Sequence, residues 1–143
     1  MTSRTQQPAS VCIRRTPIGH GVFAGRAYRP AQAIGRIPGR VIEDPAYDSP
    51  YCIELAPGRM MEPFAPFRYL NHSCEPNAEI CHPAATSAAT GLWLKAVRPI
   101  SAGEELTIDY RWPAEMAVPC RCESPNCRGW VVDEEELDLV QRN

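Results

Sequence analysis

The sequence predicts one mostly β domain built from short strands, and three observations predict it. Fifteen prolines and nine glycines in 143 residues interrupt the chain too often for long helices, because proline removes a backbone donor and clashes inside a helix. Between these breaks lie short runs of strand-forming residues bounded by Pro, Gly, Asn or Ser, the pattern of strands ended by turns. A hydrophobic content of 44% over this length is enough for one core and too little for two ordinary ones.

Taken in order, residues 1–10 are polar and expected to fray as a flexible N-terminus. Val11-Cys12-Ile13-Arg14-Arg15 reads as a strand, Pro17-Ile18-Gly19-His20-Gly21 as a tight turn, and Val22-Phe23-Ala24 as the second arm of a hairpin-like opening. Val41-Ile42, Tyr51–Leu55, Ala78–Cys81, Gly91–Val97 and Leu106–Tyr110 are the further strand candidates. The segment Asn71-His72-Ser73-Cys74-Glu75-Pro76-Asn77 is too rich in turn formers to be read as a strand. The acidic run Asp133–Val140 fits one helical turn or two, and no internal repeat appears.

A net charge of −2 with the two signs interspersed gives no electrostatic footprint for nucleic acid or a membrane surface. No apolar run approaches the roughly 20 residues that cross a bilayer, and the first residues lack the apolar core of a secretory signal. The expectation is a soluble, intracellular protein. Seven cysteines, an odd number without an export signal, favour metal ligation over a disulfide framework.

Cys120-Arg121-Cys122 is followed closely by Cys127, inside a Pro/Asn/Gly-rich loop. Three thiolates do not complete a tetrahedral zinc shell, so a fourth ligand has to come from elsewhere, and Cys74 is the candidate. Four sulfurs would close the shell and make the zinc structural. Reduced buried cysteines, or a redox pair at Cys120 and Cys122, are the alternative readings.

Three motifs, in the right order, carry a family resemblance. Asn71-His72-Ser73-Cys74-Glu75-Pro76-Asn77 resembles the SET-domain signature Asn-His-Ser-Cys-x-Pro-Asn. Gly103-Glu104-Glu105-Leu106-Thr107-Ile108-Asp109-Tyr110 is similar to the family's Gly-Glu-Glu-Leu-Thr-x-Asp-Tyr, and the terminal cysteines match its post-SET element, Cys-x-Cys-x₄-Cys. Gly19-His20-Gly21 looks like the Gly-x-Gly element that opens the domain, a weaker motif on its own. The resemblance covers roughly residues 11 to 131. It implies a SET domain over 11–113, a post-SET zinc segment over 114–132 and an acidic C-terminal tail over 133–143. The implied fold is a set of small curved sheets with a knot-like threaded segment.

The resemblance also implies a function: transfer of a methyl group from S-adenosylmethionine to the amine of a protein lysine, with one structural zinc. By position, Tyr110 corresponds to the catalytic tyrosine, while Asn71, His72, Tyr69, Trp130 and the Gly19-His20-Gly21 backbone correspond to cofactor-binding positions. Cys74, Cys120, Cys122 and Cys127 correspond to the zinc ligands. The implied partner is a lysine-bearing protein or peptide, with a basic tail such as a histone's as a candidate attracted by the acidic C-terminus. Ile108 departs from the family's usual Phe or Tyr at a position that governs methyl number, and the segment between Leu55 and Phe67 is short. An inactive zinc module that binds a peptide is the competing reading, and it predicts no cofactor affinity. A zinc hydrolase is disfavoured, since His20, His72 and His82 offer no helical i, i+4 metal pair.

Overall fold

The opening hairpin forms where the sequence predicts it: β1 (Val11–Thr16) pairs antiparallel with β2 (Gly19–Ala24), in register from Val11 opposite Ala24 to Thr16 opposite Gly19. The structure, a computed structural model, describes residues 10–82 and 91–141. The expected fraying of residues 1–10 lies outside these, except at Ser10, whose carbonyl accepts hydrogen bonds from Gly25 N–H at 2.9 Å and Tyr28 Oη at 2.7 Å.

The chain continues through β3 (Ala33–Arg36), β4 (Gly39–Ile42), β5 (Ile53–Ala56), β6 (Arg59–Pro63), β7 (Asn71–His72), β8 (Ala78–Cys81), β9 (Trp93–Ala96) and β10 (Glu105–Ile108). β11 (Val118–Pro119), β12 (Trp130–Val131) and the short helix α1 (Leu137–Gln141) complete it. These strands form four small sheets, ordered β1-β2-β10-β7, β4-β6-β5, β3-β9-β8 and β11-β12. The mostly β class follows. β3, β6, β11 and β12 are additions to the sequence reading, and β7 corrects it. Asn71 and His72 do form a strand, because parallel pairing with β10 gives their backbone the partners that local propensity cannot supply.

The core is the shared inner face of these sheets. Val22 of β2, Leu106 of β10, Leu94 of β9 and Met61 of β6 are fully buried, together with Ile37 and Leu92 from the connections. Buried Asn77 joins two elements that the sheets leave apart. Its Oδ1 accepts Thr107 N–H at 2.9 Å, and its Nδ2 donates to Glu105 O at 2.8 Å and Glu104 Oε2 at 3.0 Å. A buried amide satisfied on both ends in this way acts as a fastener between the first signature and β10.

The acidic C-terminal run is docked to the domain at its start. Asp133 N–H donates to Trp112 O at 2.8 Å, and Asp133 Oδ1 caps Glu135 N–H at 2.8 Å. Glu136 Oε1 accepts Ala114 N–H at 2.9 Å. One 3-10 turn, Glu134–Glu136, then leads into α1, as one or two helical turns were expected.

Candidate active site and cysteine cluster

The parallel register of β7 on β10 sets Thr107 opposite Asn71 and Ile108 opposite His72. That pairing places the two long signature motifs side by side. On the other edge β10 meets β2, with Glu105 opposite Phe23 and Leu106 opposite Val22. Three stretches far apart in sequence thus converge: the glycine turn of β1–β2, the Asn71-His72 pair and the run up to Tyr110.

Asn71 lies at the first junction. Its Nδ2 donates to His20 O at 2.9 Å and Glu105 Oε2 at 2.8 Å, so both amide protons are committed and Oδ1 is left as an acceptor. The rings of His20 and Tyr69 pack 5.4 Å apart, adding Tyr69 to the group. Gly21 is required by close approach: a Cβ there would lie 2.5 Å from Glu105 Oε2 and 3.2 Å from Asn71 Nδ2. Gly21→Ala is therefore expected to displace Glu105 Oε2 from Asn71 Nδ2 and to destabilise the fold by about 1–3 kcal/mol, the order of a lost hydrogen bond to a charged group. Chemical denaturation checks it, with Gly19→Ala as a contrast whose Cβ meets nothing within 4 Å, although its φ of +123° still strains any side chain.

His72 links Tyr110 to the cysteines. Its Nδ1 accepts the backbone N–H of Tyr110 at 3.0 Å, so the ring is neutral with its proton on Nε2, 3.5 Å from Cys74 Sγ. Burial holds the His72 pKa below its ordinary value; the Asp109 carboxylate opposes this and the Arg128 charge reinforces it. The Tyr110 ring packs between His72, at 5.4 Å, and Trp112, at 5.2 Å. Its hydroxyl donates to Leu70 O at 2.5 Å. Burial, with the nearby charges of Tyr51 and Glu105, pushes its pKa up to about 12.

The structure brings the four predicted cysteines together. The Sγ atoms of Cys74, Cys120, Cys122 and Cys127 all lie within 4.8 Å of one another. Cys74 Sγ is 3.8 Å from that of Cys120 and 4.0 Å from that of Cys127, close to the roughly 3.8 Å sulfur separation implied by tetrahedral Zn–S bonds of about 2.3 Å. Each sulfur also accepts a backbone N–H: Cys74 from Arg128 at 3.3 Å, Cys120 from Cys122 at 3.4 Å, Cys122 from Cys74 at 3.5 Å and Cys127 from Gly129 at 3.3 Å. This outer shell stabilises thiolates, so the donor set fits one tetrahedral zinc.

Arg128 connects the cluster to the strand that carries Tyr110. It forms a two-pronged ion pair with Asp109, 3.2 Å to Oδ1 and 2.6 Å to Oδ2, and also donates to Val132 O at 2.9 Å. Trp130 stands on β12, which pairs with β11 and so belongs to the cluster's own hairpin. Among the described residues no aromatic ring packs on it.

Tyr110 also lines a cavity of about 930 Å³, walled in part by Tyr51, Phe67, Leu70, Ile108 and Trp112. Of the predicted catalytic and cofactor residues only Tyr110 reaches it. The tyrosine thus stands at a boundary: it lines the cavity, while its backbone is tied to His72, the neighbour of Asn71.

A family model, SET domain, matches residues 19–111. The chain belongs to the SET-domain family. Over 73 residues, 50% of this chain, it is 41% identical to histone-lysine N-methyltransferase Set2 of Drosophila melanogaster, and over 88 residues, 57% of this chain, it is 40% identical to histone-lysine N-methyltransferase ash1 of the same species. It spans only 3% and 4% of the lengths of those two relatives. Among solved structures, KRYPTONITE superposes with a TM-score of 0.70 at 22% identity, over 83% of this chain and 29% of that one. A Plasmodium falciparum protein superposes with a TM-score of 0.59 at 23% identity, over 71% of this chain and 92% of that one. Several residues that organise this SET domain escape sequence reasoning, above all Glu105, Asn77 and the Asp109–Arg128 pair. Each sits inside or beside a recognised motif, but its partner lies at least 19 residues away.

Proposed function

We propose that this chain transfers a methyl group from S-adenosylmethionine to the side-chain amine of a lysine in a basic protein segment of the histone-tail kind. The observation that carries the proposal is the position of Tyr110, which lines the cavity while its backbone is bonded to the signature residue His72. The curated relatives named above, histone-lysine methyltransferases matched at about 40% identity, support the reaction and the substrate class. Their nuclear substrate also makes a nuclear protein the natural reading, and among the described residues no helix is long and apolar enough to cross a membrane.

S-Adenosylmethionine, when bound, supplies an electrophilic methyl on a cationic sulfur. Asn71, with Oδ1 its available acceptor, suits the ammonium of the methionine end, beside the backbone of Gly19, His20 and Gly21. Tyr69, the His72 backbone and Trp130 take the remaining cofactor contacts. The lysine amine has to be neutral to attack, against an ordinary pKa near 10.4, and the partly apolar cavity lowers that value by desolvation. Tyr110 is protonated at neutral pH, and its proton is committed to Leu70 O, so its oxygen lone pairs are free to accept an N–H from the amine and to aim the nitrogen. Holding two reactants in line in this way is worth about 7–11 kcal/mol of barrier. In the cluster, zinc supplies a rigid four-sulfur crosslink, and the chain's own contribution is the Arg128–Asp109 clamp that ties the crosslinked loop to the strand before Tyr110.

Calorimetry with S-adenosylmethionine, followed by mass spectrometry of histone peptides after incubation with labelled cofactor, tests the proposal. Saturable binding and mass gain at lysine are expected; a zinc-loaded chain with no affinity for the cofactor leaves the inactive peptide-binding module in its place. Buried Ile108 faces the cavity without a hydroxyl to hold a blocking water. Products with more than one methyl are expected, and Ile108→Tyr should shift the product spectrum toward monomethyllysine.

A further inference from the structure

Part of the cavity wall, Tyr47 to Cys52, belongs to a strap, residues 44–52, which lies between β4 and β5 and contains Pro45 and Pro50. Its local bonds only shape turns: Asp44 Oδ1 caps Ala46 N–H at 2.9 Å, and Ser49 O accepts Cys52 N–H at 3.2 Å. Attachments that tie it to the domain gather on one buried carboxylate, Glu62 of β6, and on Arg68 beside it, while Tyr47 also meets the Arg40 side chain of β4. Tyr47 Oη donates to Glu62 Oε1 at 2.8 Å, and Cys52 Sγ lies 3.8 Å from the same oxygen. Arg68 approaches Glu62 Oε2 at 3.7 Å and sets its guanidinium 4.2 Å from the centre of the Tyr51 ring.

Glu62 is 7% exposed and does not line the cavity, so the transfer chemistry has no use for it. An isolated carboxylate in such a place is costly and persists only when partners hold its charge. Burial works against the charged form, but hydrogen bonds from Tyr47 and Ser49 and the charge of Arg68 outweigh it and hold the Glu62 pKa below the ordinary value. The strap in turn carries Tyr51, which lines the same cavity as Tyr110. The anchor therefore holds in place the strap residues that line the cavity.

We infer that Glu62, together with Arg68, is a positioning device for substrate specificity: it holds strap 44–52 as the wall against which the residues flanking the target lysine bind. The inference rests on the proposed function, in that it takes the cavity as the peptide's. Glu62 touches neither substrate nor cofactor; it acts through Tyr47, Tyr51 and Cys52. Loosening the strap at Glu62 or Tyr47 raises the KM for peptide and leaves the cofactor group at Asn71 and His20 in place; Arg68, whose guanidinium also lies 5.9 Å from the centre of the Tyr69 ring, is kept in every variant.

The test is steady-state kinetics on the full chain with the histone peptide that the wild type methylates, using Glu62→Gln, Tyr47→Phe and the double variant. Tyr47→Phe is the safeguard against misfolding, because it removes one hydroxyl from a residue that is 38% exposed and lies outside the core. Each single variant is expected to raise the peptide KM about tenfold, the order expected for losing a hydrogen bond to a charged group. kcat and the S-adenosylmethionine Kd should stay within about twofold, a split that marks lost ground-state binding. The double variant should add little to either single one, because both break the same anchor. Unchanged peptide KM in both single variants, or a cofactor Kd that moves as far as the KM, overturns the inference. A wild-type chain that methylates no histone peptide and binds no cofactor overturns the functional reading itself, and this one falls with it.

Discussion

Phenylalanine in place of Tyr110 is expected to leave cofactor affinity within about twofold while cutting turnover at least about 10²-fold, the usual cost of losing a positioned proton-handling group. The substitution removes one oxygen and keeps the ring that packs between His72 and Trp112. It also leaves the Tyr110 N–H to His72 Nδ1 bond intact, so the Asn71 group is undisturbed. Single-turnover rates and calorimetry on one preparation separate the two quantities, and turnover equal to wild type would take the hydroxyl out of the mechanism. The pH dependence sharpens the point. With a pKa raised from 10.0 to about 12, the hydroxyl is protonated across the assay range and does not serve as a resting phenolate base. The rate should climb with pH as the lysine amine loses its proton, without an inflection belonging to Tyr110 below about pH 12. For stability the sign follows from the same shift: what the buried neutral phenol contributes is whole below pH 10.0 and is lost as pH rises through about 12.

Cys74→Ser carries the second large effect, because that sulfur has three attachments at once. It is one of four placed for the metal, it accepts the N–H of Arg128, and it faces His72 Nε2 at 3.5 Å. Removing it is expected to bring zinc content well below one per chain, since a structural zinc site is worth about 10–16 kcal/mol of coupled folding and binding and an oxygen ligand does not replace the thiolate. Residues 120–132 should lose hydrogen-exchange protection as one unit, and activity should fall with them as the Arg128–Asp109 clamp goes slack. Metal analysis and exchange mass spectrometry measure the two losses separately from activity. Full zinc content in the variant, with protection intact, would show that three cysteines suffice.

How far the fold and site could be read in advance depended on how local the cause was. β1, β8 and the core of β9 stand within runs of strand formers flanked by turn residues, and the hairpin turn at Gly19 has a positive φ of 123°. β3 and β6 were not legible, because their glycine, proline and methionine carry no strand signal and they are made strands by what pairs with them. β7 is the extreme case: two polar residues whose extended conformation exists only because β10 runs beside them.

The same division runs through the site. Spacing and thiol chemistry identified the four sulfurs, while the amide and imidazole pair, the tyrosine and the glycines of the opening hairpin were legible only through the resemblance to the SET family. Which atoms meet was left to the folded chain. His72 reaches Tyr110 across 38 residues and Cys74 reaches Cys120 across 46, and Glu62 gathers a strap that no motif marks. The reason is physical. Local propensity and functional-group chemistry belong to short segments and can be read one at a time, whereas a contact between distant segments is set by the joint packing of every sheet and has no energy until the chain has closed.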